Sequence, residues 1–167
     1  MLFLSTISKK REVVSEQLET SFIKCFGLKS ILRVIDANLN RCREGLRVVE
    51  DTLRFVLNDS KFYNKIRSIR HEVDLILRNN YGDLIKERDS FDDSGRLIAE
   101  VSKKCLQEIL IANFKRAQES LRVLEEYSKI FISLISSDFK KQRYAVYIIE
   151  KDFFLKYKFL FKRKKRE

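Results

Sequence analysis

Apolar residues recur along this chain in alternating steps of three and four, the spacing that gathers them on one face of an α-helix. From about residue 30 to Leu57 the stripe is Leu39, Cys42, Leu46, Val49, Leu53 and Val56. Asn58-Asp59-Ser60 ends that helix and offers a cap for the next. Over 61–79, Phe62, Ile66, Ile69, Val73, Ile76 and Leu77 line one side. An earlier helix over 9–25 is expected to stop at Gly27, since glycine suits a helix C-terminus. The stretch from Asn79 to Gly95 reads as the one long loop. A long helix is predicted from Arg96 to Ile132, with no glycine to interrupt it, and Ser136-Ser137-Asp138 makes the next break. The last helix, from Phe139 on, places Tyr144, Tyr147, Ile148, Phe154, Leu155 and Phe159 on a broad aromatic face and frays into a basic end at 162–166.

A repeat organises these elements. Residues 37–55 read ANLNRCREGLRVVEDTLRF and residues 112–130 read ANFKRAQESLRVLEEYSKI, an offset of 75 with eight identities in nineteen positions. The following helices echo each other more faintly, Arg70-His71-x-Val73 against Arg143-Tyr144-x-Val146. The repeating unit is therefore a helical hairpin used twice. The predicted fold is all-α, an antiparallel bundle of two such hairpins with an extra N-terminal helix. Three regions follow: an N-terminal extension over 1–30, the duplicated unit over 31–160 and a basic tail over 161–167.

At about 100° per residue, the first stripe centres between Leu39 and Val49. Asn38 and Glu50 fall at its edges, and Arg41, Glu44 and Arg47 fall on the other side. A bundle core needs only the stripe. It does not explain why Arg41/Arg116, Glu44/Glu119 and Arg47/Arg122 are identical in the two copies. Arg–Glu pairs three apart would account for them as helix-stabilising contacts worth about 0.2–0.5 kcal/mol each, and inheritance from the duplication would too. The alternative is a polar cleft between the copies, in which arginines hold phosphate oxygens and glutamates orient them or bind magnesium through water. Asn38 alone could be a helix cap, but its counterpart Asn113 sits well inside a helical pattern.

Composition supports the helical reading. The chain has no proline and four glycines among 167 residues, too few for the tight turns of a sheet-rich fold. The net charge of +11 is concentrated, because residues 140–167 carry eleven Lys and Arg against three acids. That tail, interleaved with aromatics, could contact RNA or an anionic membrane, although a frayed amphipathic helix explains it as simply; no specific nucleic-acid partner is expected. Cys25, Cys42 and Cys105 are odd in number and lack metal-ligand spacing, which fits reduced thiols in the cytoplasm and argues against structural zinc. The short apolar start, ended by Lys9-Lys10-Arg11, is not expected to be a leader, and no apolar run reaches membrane-spanning length. There is no GxxxxGK[ST] loop and no protein-kinase signature set, so any nucleotide site is built from side chains between helices.

The stretch IDANLNRCREGLRVVEDTLRFVL (35–57) resembles the leading motif of a bacterial helical domain often fused in front of thiamine-phosphate synthase. ANFKRAQESLRVLEEYSKI is similar to that domain's second motif. Ile69-Arg70-His71, Arg88-Asp89-x-x-Asp92-x-x-Gly95, Arg143-Tyr144 and Ile149-Glu150-Lys151 follow in the family's order. The resemblance, over about residues 31–152, is to the monofunctional hydroxymethylpyrimidine phosphate kinases. One departure is Asp93-Ser94-Gly95, where the family usually has Asp-Val-Gly. The resemblance implies phosphorylation of hydroxymethylpyrimidine phosphate to its diphosphate, with ATP and Mg²⁺, in thiamin biosynthesis. The (β/α)₈ barrel of the synthase itself is not expected here.

Carried onto this chain, the resemblance and the repeat together select Arg41, Glu44, Arg47, Arg116, Glu119 and Arg122 as the catalytic group. Asn38, Asn113, Arg43, Arg70, His71, Arg88 and Arg143 are the candidates for substrate and phosphate binding. Glu50, Asp51, Glu125, Asp89 and Asp92 are the candidates for magnesium. The loop from Asp89 to Gly95 is the candidate lid. Two other readings stay open: a non-catalytic helical module that partners thiamine-phosphate synthase, and an anionic-surface binder. A homodimer is also open.

Overall fold

A computed structural model describes residues 27–89, 91, 93, 97–99, 102–131 and 133–161. The expected N-terminal helix over 9–25, Asp92, and the basic end at 162–167 lie outside the described residues. Helix α1 (Leu28–Asp51) continues into a π-helical turn, Thr52–Val56, and α2 spans Ser60–Ile76. A 3₁₀ turn (Arg78–Asn80) leads into the short α3 (Tyr81–Lys86). Helix α4 spans Leu106–Phe131, a 3₁₀ turn follows at Ser133–Ile135, and α5 spans Ser136–Lys156 before a last 3₁₀ turn at Lys158–Phe161. No strand occurs among the described residues. The all-α prediction holds.

The duplication is visible in the core. Ile35, Leu39, Cys42, Leu46 and Val49 of α1 are buried, and so are their counterparts 75 residues on, Leu110, Phe114, Ala117, Leu121 and Leu124 of α4. In the second helices the equivalence runs at an offset of 73: Ile66 with Phe139, Val73 with Val146. The connection inside the second hairpin is therefore two residues shorter. Each hairpin packs on itself, α1 packs on α4, and α2 packs on α5. Ser30, Ile31 and Val34 share a pocket with Tyr127 and Ile130, while Gly45 meets Asn113. The two repeat helices thus run antiparallel across each other.

At Gly45 the two helices approach closely. A Cβ there would lie 2.9 Å from the backbone oxygen of Asn113 and 3.4 Å from the nitrogen of Ala117. Backbone atoms cannot swing away as side-chain tips do. Gly45→Ala is therefore expected to destabilise the bundle by about 1–2 kcal/mol, the cost of overpacking less the helix propensity alanine regains. Denaturant titration checks this, and a gain in stability would show that α1 and α4 can part freely.

Asp59 ties the two hairpins at the other end. It caps α2 by accepting from the Phe62 N–H at 3.1 Å, while Lys156 Nζ and Tyr157 OH reach its other oxygen at 2.5 and 2.6 Å. Asn58 enters the cap at φ 50°, a left-handed conformation asparagine tolerates. Burial alone would raise the Asp59 pKa, but the bonds from Lys156, Tyr157 and Phe62 outweigh it and hold the carboxyl down at about 2, against a usual 3.8. A carboxyl whose folded pKa is depressed stabilises the fold above its unfolded pKa and loses that contribution as pH falls through the folded one. The melting-temperature advantage of the parent over Asp59→Asn is thus expected to be full at pH 5, to shrink below about pH 4 and to vanish near pH 2. An advantage unchanged across that window contradicts the assignment.

Four sequence expectations are corrected. Val56 is exposed, because the π-helical turn rotates the end of α1 after Leu53. The loop expected from Asn79 contains α3, anchored by the fully buried Leu84; the residues described between Lys86 and Leu106 lie outside helices. The helix expected from Arg96 begins only at Leu106, and Leu97 and Ile98 are exposed outside it. The break expected at 136–138 lies at 133–135. On α5 the buried face is Phe139, Gln142, Arg143, Val146, Ile149 and Phe153, whereas Tyr144, Tyr147, Ile148, Leu155 and Phe159 are exposed and Phe154 is half-buried. Apolar residues occur all round this helix: the broad aromatic face is the outer one, and the inner face includes the buried polar side chains of Gln142 and Arg143.

Candidate functional site

Polar positions of α1 and α4, outside the core stripe, line a groove. Its first half, about 690 Å³, lies along α1 and is walled by Arg33, Asp36, Asn38, Asn40, Arg41 and Glu44, with Arg88, Asp89 and Asp93 from the connection after α3. Its second half, about 640 Å³, is formed by Asn38 and Arg41 with Lys115, Arg116, Glu119 and Ser120 of α4. Asn38 and Arg41 belong to both halves, so the groove is continuous across the helix pair. The repeated Arg41, Glu44, Arg116 and Glu119 thus share one concave surface. All four are exposed in it.

Local geometry explains the asparagines. Asn38 Nδ2 donates to Val34 O and Asn113 Nδ2 to Ile109 O, each at 2.8 Å, the same bond back to the preceding turn in both copies. Asn38 is nearly buried, at 7% exposed, on the floor of the groove. Asn113 is not among the residues lining either half. Arg88 closes the far wall with two short bonds to Asp36, at 2.6 and 2.7 Å. The Asp36 carboxylate holds the Arg88 guanidinium charged, raising its pKa. Arg33 reaches Asp89 at 3.9 Å. These pairs pin the connection onto α1.

The remaining candidates lie elsewhere. Glu50 and Glu125, 2% and 4% exposed, are not in the groove. Arg70 of α2 binds Glu50 at 2.7 Å and Arg143 of α5 binds Glu125 at 2.7 Å, the same bond in each hairpin. Arg47 and Arg122 add to these pairs from the surface at 3.3 and 3.0 Å and also face Asp51 and Glu126. Arg47, Arg70, Arg122 and Arg143 therefore neutralise buried carboxylates where they stand, and they do not converge on the groove. Arg43 pairs with Asp74 at 2.7 Å on another side of α1. His71 is exposed on α2 and lines neither half. The magnesium candidates are not brought together: Glu50, Asp51 and Glu125 are outside the groove and Asp89 within it. No cluster of three or more His, Cys, Asp or Glu suited to a metal occurs among the described residues. Cys42 is buried, which, with help from Asp74, pushes its thiol up to about 12.

Lys115, Asn40, Asp36 and Arg33 were not selected from sequence. Lys115 and Asn40 occupy the same repeat position and differ between the copies, so repeat identity does not mark them.

The fold and site define a class: an all-α protein made by duplication, whose repeat helices present paired arginines and carboxylates to one groove. The chain belongs to the ThiD2 family, whose model matches residues 33–152. Among similar proteins is a thiamine-phosphate synthase of Nostoc punctiforme, 37% identical over 123 residues, covering 72% of this chain and 34% of the relative. Those of Rhodopirellula baltica and Thermosynechococcus vestitus are 35% and 38% identical, over 77% and 71% of this chain and 35% and 34% of theirs. The chain spans about a third of the length of the curated relatives it matches. No solved structure matches. No helix among the described residues is long and apolar enough to cross a membrane.

Proposed function

We propose that this protein acts in thiamin biosynthesis as a phosphotransferase, moving the γ-phosphoryl group of ATP onto hydroxymethylpyrimidine phosphate to give the diphosphate. The observation that carries the reading is the placement of Arg41 and Arg116 in one groove, at equivalent positions of the two repeats. A transfer between two phosphates needs charge neutralised and oxygens aligned more than it needs covalent help from the protein. An oxygen of the acceptor phosphate forms the new bond to the γ-phosphorus. The bond from that phosphorus to the βγ-bridging oxygen breaks, and ADP leaves with the electron pair. The acceptor is already an anion, so no strong general base is required.

Arg41 and Arg116 would hold phosphate oxygens by charge-assisted hydrogen bonds. Magnesium bound mainly through substrate phosphates needs only one or two protein carboxylates, and the groove supplies Glu44 and Glu119. Magnesium would supply charge neutralisation on those phosphates. The test is to incubate the purified chain with ATP, Mg²⁺ and the pyrimidine phosphate and to follow the diphosphate product by ³¹P NMR. Product is expected; its absence beside a competent control kinase would contradict the reading.

The names and greater length of the relatives favour one second reading, a non-catalytic module that partners a thiamine-phosphate synthase. In that case the assay stays blank and the chain co-purifies with a synthase.

A further inference from the structure

We propose that the two halves of the groove bind different anions: the α4 half, built by Arg41, Lys115 and Arg116, takes the phosphate chain of the donor nucleotide, and the α1 half, floored by Asp36, Asn38 and Asn40, takes the aminopyrimidine phosphate. This division rests on the kinase reading above. It comes from where the two repeats differ.

Duplication alone would give two equal half-sites, since Asn38/Asn113, Arg41/Arg116 and Glu44/Glu119 are the same. The neighbouring positions have diverged. Asn40 of the first copy is matched by Lys115 in the second, and Asp36 by Ile111. Among the described residues lining the α4 half, Lys115, Arg116 and the shared Arg41 stand with one carboxylate, Glu119. In the α1 half, Arg88 is committed to Asp36 and Arg33 faces Asp89, while Glu44 adds further negative charge. A chain of three phosphates placed there would meet carboxylates; in the α4 half it meets an excess of cations.

The aminopyrimidine has the opposite requirement. Its exocyclic amino group donates a hydrogen bond and its ring nitrogens accept them. The buried Asp36 carboxylate and the Asn40 amide, linked to each other at 3.4 Å, supply both kinds of partner. With Nδ2 of Asn38 committed to Val34 O, its Oδ1 is left as an acceptor for a ligand. Arg41 lines both halves and has no hydrogen bond or ion pair among the described residues. It therefore falls between the two bound phosphates, at the point where the transferred group passes from one to the other.

The test is a pair of variants at the diverged position, Lys115→Ala and Asn40→Ala, each checked for an unchanged melting temperature. Lys115→Ala is expected to raise the KM for ATP about tenfold and to leave that for the pyrimidine phosphate within about twofold, the loss of one charge-assisted hydrogen bond. Asn40→Ala is expected to do the reverse, and Lys115→Arg to retain the parent values. Calorimetric titration with inorganic tripolyphosphate gives a second readout that needs no turnover: Lys115→Ala weakens binding about tenfold and Asn40→Ala leaves it unchanged. If the parent turns over and both variants move both KM values together, the division is overturned while the kinase reading stands. If the parent does not turn over, the kinase reading fails, and the titration then decides only whether the α4 half is a polyphosphate site distinct from the α1 half. No tripolyphosphate binding, or equal weakening in both variants, overturns it.

Discussion

Replacing Arg41 by alanine lowers turnover of ATP and the pyrimidine phosphate by about 100-fold, the usual cost of removing one preorganised donor to developing charge, and leaves the melting temperature within about 3 °C of the parent. Arg41 is exposed and supports no buried carboxylate, so the fold does not need it. It is also one of the two residues common to both halves of the groove, so any pair of phosphates spanning the groove lies beside it. Arg116→Ala is expected to lower turnover by a similar factor. Turnover intact in both variants would remove the groove from the reaction.

Arg143→Met is expected to act in the opposite way, costing about 3–5 kcal/mol of stability in denaturant titrations. Glu125 is buried, and Arg143 Nε and Nη2 bond the same carboxylate oxygen at 3.0 and 2.7 Å. Removing the guanidinium strands a carboxylate away from water. Arg122 meets the other oxygen from an exposed position and offsets little of that loss. The double variant Glu125→Leu/Arg143→Met is expected to recover much of the stability, because a buried pair replaced by apolar side chains is often neutral. A single variant as stable as the parent would mean that Glu125 finds water or another partner.

These two arginines divide what the sequence discloses from what it hides. The stripe from Leu39 to Leu53 was legible because spacing of three and four has one geometric meaning on a helix. The repeat made the fold legible as two hairpins, and it correctly set Arg41, Glu44, Arg116 and Glu119 apart from the core. It also set apart Arg47, Glu50, Arg122 and Glu125, for a different physical reason. Glu50 and Glu125 are buried charges whose partners, Arg70 and Arg143, lie twenty and eighteen residues further on, across the hairpin. A comparison of the repeats reports identity, not which side of the helix needs it. The diverged pair Asn40 and Lys115 is invisible to repeat identity, because what distinguishes it is a difference between the copies. Chain ends of helices were the least legible. Nothing in Leu97 or Ile98 forbids helix, and the π-helical turn at Thr52–Val56 depends on how α1 meets α2, not on a local signal.

The most direct test is a crystal structure with a non-hydrolysable ATP analogue and the pyrimidine phosphate. Both ligands are expected between α1 and α4, with phosphate oxygens within hydrogen-bond reach of Arg41 and Arg116. Ligands seated instead in the pocket formed by Arg43, Asp74 and Tyr81, with the groove empty, would contradict the account.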